Sequence, residues 1–310
     1  MTIGIAATGP WAGAGILAGL RAVEAVGRGA IGGFVSLAAL TADQQLLCAE
    51  TQTGGTGNLF TGSPPEALLS APYAALISSG PDRPTPLSQF VAAAPGVGIV
   101  TGHRFPHVKT EDDQALNILI LEAMQQGCTA QDAVDTVIAA HPSFDAGFIA
   151  LSTEGELGLG NMPSVLDLRS QGLAVQTCPE TGMRVATVHN AIHPINAIAT
   201  LANEVVLDAV QQRLTEVRSI TMAAGIALSF GETTEIHIDG AFKATKVLHP
   251  RIPKLPAETS IGIGDHVKVV QTGHQIGWLG LEPFMVVRNN AIVSLDGKHE
   301  IQLPVLMRRT

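Results

Sequence analysis

The sequence predicts an α/β (α+β) protein of stacked layers with a small β-domain toward its C-terminal end. Three observations carry this. Of 310 residues, 46% are hydrophobic, 15% charged and only 4% aromatic, so the core must be assembled from Ala, Val, Ile and Leu in elements covered on both faces. Helical and strand patterns also alternate with an internal echo. Ala22-Val23-Glu24-Ala25-Val26 leads to Gly33-Phe34-Val35-Ser36-Leu37, and Ala133-Val134-Asp135-Thr136-Val137 leads to Gly147-Phe148-Ile149-Ala150-Leu151. Two such helix-plus-hairpin units pack as sheet on sheet with helices outside. Finally, the period shifts from helix to strand near Ser219, which sets expected domains of 1–218 and 219–310. A chain of this length buries roughly three-quarters of its unfolded surface.

The elements follow in order. Thr2 to Thr8 reads as a short buried strand, broken by Gly9-Pro10, and Ala14 to Val26 carries apolar residues at helical spacing. A hairpin follows, with arms Ala30 to Leu40 and Leu46 to Thr53 and a turn near Thr41 to Gln44. A Pro- and Ser-rich loop, Ser79 to Ser88, precedes a strand at Val97 to Thr101. Helices are expected at Asp113 to Gln126, stopped by Gly127, and at Thr129 to Ala140, where Thr129 and Asp132 form a capping box. The next hairpin pairs Gly147 to Leu151 with Leu157 to Leu159, and a strand at Arg184 to His189 leads into a long helix from Pro194 to Val217. Strands then run at Ile220 to Leu228, Thr234 to Asp239 and Val267 to Gln271, around a stiff link through Pro250, Pro253 and Pro256. The end reads as a meander of Phe284 to Val287, Ala291 to Leu295 and Glu300 to Leu303, turning at Asn289-Asn290 and Asp296-Gly297.

Charge and special residues exclude several functions. With 18 Lys and Arg against 27 Asp and Glu, the net charge of -9 repels a phosphate backbone, so nucleic acid is not an expected partner. Cys48, Cys128 and Cys178 are odd in number and widely spaced, as reduced core thiols are. The pairs His103/His107 and His189/His193 have metal-ligand spacing, but Pro106 and Pro194 break the helical face such a pair needs, so no metal is expected. Gly13-Ala14-Gly15 lacks a Rossmann third glycine and a P-loop lysine, and no cofactor is expected. No basic n-region precedes the first apolar residues and no apolar run reaches the ~18 residues of a membrane span. The expectation is a cytoplasmic protein with no membrane partner.

The stretch Thr51-Gln52-Thr53-Gly54-Gly55, followed by Gly62-Ser63-Pro64, resembles the Thr-x-Thr-Gly-Gly and Gly-Asp-Ser-Pro of the β-subunit of plant-type asparaginases and isoaspartyl peptidases. Val100-Thr101-Gly102-His103 is similar to that family's Thr-Gly-x-Gly strand end, and Thr129 to Leu151 to its later helix and Gly-rich hairpin. The resemblance implies a four-layer αββα sandwich of the N-terminal-nucleophile (Ntn) hydrolase type. It also implies hydrolysis of an amide C–N bond by a Thr hydroxyl whose own α-amine acts as base. Carried over by motif, Thr53 hydrogen-bonds the nucleophile and Thr101 and Gly102 form the oxyanion pocket; Gly54 and Gly55 beside Thr53, and His103 and Arg104 in the loop that leaves the Thr101 strand end, are the expected substrate-site residues. Arg104 there meets an anionic group.

The nucleophile itself departs from the family. Gly29-Ala30-Ile31-Gly32-Gly33 carries no hydroxyl or thiol where the family's nucleophile begins its strand. Two candidates remain. Thr2 starts a strand and becomes N-terminal on removal of Met1, whereas Ser36 requires cleavage after Val35 and a shifted hairpin. The family's Arg and Asp that clamp an amino-acid substrate are replaced by Gly57-Asn58-Leu59-Phe60-Thr61. Two readings follow: an Ntn-type amidohydrolase acting on a small amide, or a catalytically silent Ntn-like protein that binds a small ligand or forms a homo-oligomer. If the resemblance carries chemistry, Thr53 and Thr101 line one pocket, with Thr2 or Ser36 facing it.

Overall fold

Seven consecutive residues with no polar period, Thr2–Thr8, form the first strand, β1, and every one of them is buried. Such a strand must have a neighbour on each edge and a layer on each face. The computed structural model that shows this describes residues 1–29 and 31–308. Ala30, where the first hairpin arm was expected to begin, and the last two residues of the expected β-domain lie outside the described residues.

The chain divides into two compact units, Met1–Gln211 and Gln212–Thr310. In the first, β1 is followed by α1 (Ala12–Val26), β2 (Val35–Leu40), β3 (Leu46–Thr51), the short helices α2 (Gly55–Asn58) and α3 (Glu66–Leu69), and β4 (Tyr73–Ser79). Next come β5 (Ala92–Ala94), β6 (Gly98–Arg104), α4 (Leu116–Gln125), α5 (Ala130–Ala140), β7 (Ala146–Ser152), β8 (Leu157–Asn161) and α6 (Pro163–Leu166). The unit closes with β9 (Gln171–Cys178), β10 (Met183–Asn190) and α7 (Ile195–Leu214).

These strands make two antiparallel sheets, one ordered β3-β2-β4-β1-β10-β9 and the other β5-β6-β7-β8. The sheets face each other through small apolar residues. Ala6, Ala38, Ala75, Ile77, Ala186 and Val188 of the first share a core cluster with Ile99, Ile149 and Leu151 of the second. Approach is tight at Gly4, where a Cβ would lie 2.4 Å from the Gly102 carbonyl oxygen. On the outer face of the first sheet, α1 packs against β1 and β4, and its Gly15 and Gly19 admit Val206 of α7. On the outer face of the second, Leu116, Ile120, Ala133 and Val134 of α4 and α5 cluster with Val100, Phe148 and Ala150. The expected cap of α5 forms: the Thr129 hydroxyl accepts from the Asp132 N–H.

In this unit three strands differ from expectation by their existence: β4, β5 and β9, of which β4 lies beside β1 at the centre of the sheet. The last long helix also ends at Leu214, and Thr215 already begins a strand. The β-branched Thr215, Val217 and Ile220 favour that strand, and all nine of its residues pair with the chain's last strand.

The second unit contains β11 (Thr215–Ala223), β12 (Leu228–Ser229), β13 (Glu235–Ile238), β14 (Ala244–Leu248), β15 (Glu258–Gly262) and β16 (Lys268–Gln271). It continues with β17 (His274–Leu279), β18 (Phe284–Arg288), β19 (Ala291–Leu295) and β20 (Glu300–Arg308). The hairpin β18–β19 turns at Asn289 and Asn290, whose φ values of 51° and 60° suit asparagine. The expected meander stops there. β20 joins a seven-stranded sheet ordered β11-β20-β17-β16-β13-β14-β12, apart from the three-stranded β15-β18-β19. Among the described residues, no helix is long and apolar enough to cross a membrane.

Candidate functional site at the head of the first strand

Thr2 pairs with Ser79 of β4 on one side and with Asn190 of β10 on the other. Directly opposed residues of antiparallel strands point to the same face, so these three polar side chains form one row. Alternation along β1 puts Thr2 on the face of Gly4 and Ala6, which look toward the second sheet. The row therefore lies at the open end of the space between the sheets, where it floors a cavity of ≈ 220 Å³.

The walls of that cavity differ in chemistry. One is cationic and carries Arg83, Arg104 and Met1; another is aromatic and carries Phe34, Phe90, Phe105 and His107. The aromatic rings touch in series: Phe34 and Phe90 are 4.7 Å apart at their centroids, and Phe90 and His107 4.1 Å. None of the twelve lining residues bears a carboxylate. Arg104 pairs bidentately with Asp145 through its Nε and Nη2. Arg83 instead donates through Nε and Nη2 to the Ser79 hydroxyl. Its backbone is clamped by Gln52, whose amide accepts from the Arg83 N–H and donates to the Arg83 carbonyl.

These surroundings shift the titration of the groups they enclose. Burial holds the Met1 α-amine below its ordinary range, and the charges of Arg104 and Arg83 push the same way. Burial also lowers the pKa of His107, leaving a neutral ring at the aromatic wall. Asn190 is only 3% exposed, and its Oδ1 makes no close hydrogen bond among the described residues.

Of the expected site residues, the structure brings Thr2 and Arg104 to this cavity. The others lie elsewhere, for identifiable reasons. Thr53 is exposed beyond the end of edge strand β3, three strand spacings from β1, or about 14 Å. Its carbonyl accepts from the Thr51 hydroxyl. Thr101 is fully buried between the sheets and donates to the Leu76 carbonyl at 2.9 Å, so its hydroxyl serves packing and does not face a substrate. Thr53 and Thr101 therefore do not line one pocket.

Gly102 is wedged between β1 and β7; a Cβ on it would stand 1.9 Å from the Gly147 carbonyl oxygen. Gly54 and Gly55 adopt φ of 80° and 55° in the turn into α2, where the Gly55 N–H bonds the Gly33 carbonyl. A Cβ on Gly55 would strike Glu24. His103 is fully buried with Nε2 2.8 Å from Asn161 Oδ1, and burial lowers its pKa to about 4. Ser36 is buried inside β2, paired with Glu50 and Ile77. Cleavage there would cut a strand bonded on both sides. Among the described residues no group of three or more His, Cys, Asp or Glu is placed to hold a metal ion.

Sequence reasoning missed Ser79, Arg83, Asn190 and the aromatic wall. The available signal was the polar pair Ser78-Ser79 at the end of an apolar run, Tyr73 to Ile77, but that run has no period to mark it as a strand.

Comparison with known proteins gives a family without an activity. The chain belongs to the family described as Domain of unknown function (DUF6963), whose model matches residues 2–219. Residues 225–300 match a second model, Domain of unknown function (DUF7259). No curated protein matches the chain. Among solved structures it is similar to a glutamine phosphoribosylpyrophosphate (PRPP) amidotransferase from B. subtilis complexed with ADP and GMP. That likeness has 13% identity and a TM-score of 0.36, over 66% of this chain and 43% of that one. The chain thus spans less than half the length of that protein.

Proposed function

We propose that the first unit is a four-layer αββα sandwich of the Ntn-hydrolase type, and that Thr2 hydrolyses the C–N bond of a small amide once processing leaves it at the head of the chain. The observation that carries this reading is the position of the α-amine. Met1 stands at the head of central strand β1 in a cavity flanked by two guanidinium groups, which together with burial lower the pKa of its α-amine, and loss of Met1 would set the α-amine of Thr2 beside the same groups. The α-amine of Thr2, with an ordinary pKa of ~7.7–8.0, is partly neutral at cellular pH and can act as a base. In this mechanism it takes the proton of the Thr2 hydroxyl as Oγ1 attacks the amide carbonyl. It then passes that proton to the leaving nitrogen as the C–N bond breaks, and water hydrolyses the acyl ester by the same proton route. The cationic wall favours the negative charge that develops on the carbonyl oxygen.

The placement of Thr101 on the Leu76 carbonyl and of Thr53 at the exposed sheet edge, both away from the cavity, favours a second reading. In it the unprocessed chain is an Ntn-like protein without catalysis that binds a ligand or assembles as a homo-oligomer. Intact mass of the untagged protein, combined with turnover of a panel of small amides, separates the two. The hydrolase reading expects Met1 to be absent and Thr2→Val to lower turnover by roughly 10⁴-fold or more. It expects Thr101→Val, remote from the cavity, to stay within a few-fold of the native chain. Retained Met1 with no turnover supports the second reading, and turnover unaffected by Thr2→Val excludes Thr2 as nucleophile.

A further inference from the structure

We infer that the cavity at the head of β1 selects a small molecule that carries a carboxylate, an N–H donor beside it and a flat apolar group. As a statement of substrate class this rests on the hydrolase reading above; as a statement of binding it rests on the cavity alone.

The charge argument comes first. The whole chain has a net charge of -9, yet this cavity gathers two arginines and an α-amine and has no carboxylate in its lining. Asp145 neutralises Arg104. Arg83 has only the neutral Ser79 hydroxyl at its Nε and Nη2, and no ion pair among the described residues. A partly buried guanidinium without a counter-charge is unfavourable until an anion joins it. The planar fork that remains suits a carboxylate. The site is also built in advance: Gln52 fixes the Arg83 backbone from both sides and Ser79 fixes the side chain, so little conformational freedom is lost on binding.

Two further features narrow the ligand. Asn190 Oδ1 is a buried acceptor that makes no close hydrogen bond among the described residues, only a weaker approach to His103, on the residue paired with Thr2, so a donor from the ligand would complete it. The contacting rings of Phe34, Phe90 and His107, tilted by 54° and 55° to one another, offer an apolar aromatic wall against which a ring can pack edge to face. The volume of ≈ 220 Å³ is below the ~300–1,000 Å³ of cavities for drug-sized molecules. A short acyl group joined by an amide to a small amino carboxylate meets all of these conditions.

Hippurate is a suitable probe because it has a phenyl ring, an amide N–H and a carboxylate; its methyl ester keeps everything but the charge. Calorimetric titration of the full chain and of its Thr2→Val form is expected to show saturable millimolar or tighter binding of hippurate. The ester is expected to bind at least about tenfold more weakly, as is hippurate to Arg83→Gln, given what a charged hydrogen bond contributes. Arg83→Lys should recover part of the loss, and the ester comparison on the native chain needs no substitution. Equal binding of acid and ester, no binding of either, or inorganic phosphate binding as well as hippurate would each overturn the inference. Charge-dependent binding with no cleavage keeps it and removes the hydrolase reading. Cleavage of acid and ester at equal rates does the reverse.

Discussion

Replacing Gly102 with alanine is expected to cost more than about 4 kcal/mol, a loss that only a specific packing failure produces, and to leave the first unit unable to hold its native packing. The added Cβ would lie 1.9 Å from the Gly147 carbonyl oxygen and 2.9 Å from its carbon. Both neighbours are backbone, so no side-chain rotation relieves the clash. Nor can β6 move aside, because it is paired with β7 along seven residues and its Gly102 carbonyl already lies where a Cβ on Gly4 would be, at 2.4 Å. Domains of this kind have only about 5–15 kcal/mol of stability to lose. Urea denaturation of the full chain checks the effect, with Gly57→Ala as control, since a Cβ there meets nothing within 4 Å. A Gly102→Ala chain within about 1 kcal/mol of native stability would contradict the sheet contact described above.

The second large effect is a dependence of stability on pH through His103. Its folded pKa is lowered from 6.5 to about 4, first by burial, while the Asn161 and Asn190 amides oppose the shift. Burial therefore holds the ring neutral in the folded protein. Because the folded value is the lower one, protons bind more readily to the unfolded chain. The stabilising contribution is thus complete above pH 6.5 and is lost as pH falls from there to about 4. A shift of this size corresponds to about 3 kcal/mol. Burial also lowers His107, His189 and His249, so the total slope exceeds that of His103 alone. The comparison is therefore between the native chain and His103→Asn. Between pH 7 and 4 the native chain should lose about 3 kcal/mol more than the variant. Parallel curves would mean that His103 is not kept neutral by its burial.

The parts of this fold legible in the sequence are those whose signal is local. Thr2–Thr8 is bounded by Gly9-Pro10, the Thr129 cap is a matter of four residues, and the Asn289-Asn290 turn requires only that asparagine tolerate positive φ. β4 was not legible: Tyr73–Ser79 is apolar without alternation, as a strand covered on both faces must be, and its place beside β1 is a long-range pairing. That pairing is what brings Ser79 and Arg83 to Thr2, so missing the strand meant missing the cationic wall. Thr2 and Arg104 were legible because each stands at a strand end. The motif around Thr51 to Gly55 points to the right end of the sheet but to the wrong side chain. Gln52 reaches the site by holding Arg83, while Thr53 stays at the exposed edge. For Thr101 and Gly102, hydroxyl and glycine serve packing in this chain, a role that sequence alone does not separate from an oxyanion pocket.

The measurement that bears most directly on the central claim is covalent trapping at the head of β1. The untagged full chain would be incubated briefly with the activated ester p-nitrophenyl acetate, quenched in acid, and analysed by intact mass and peptide mapping. An Ntn-type site predicts a chain lacking Met1 that gains one acetyl group on the hydroxyl of Thr2, with the adduct absent from Thr2→Val and abolished by acetylating the α-amine beforehand. A chain that keeps Met1, or an acetyl group that falls on another residue while Thr2 stays unmodified, would contradict the account.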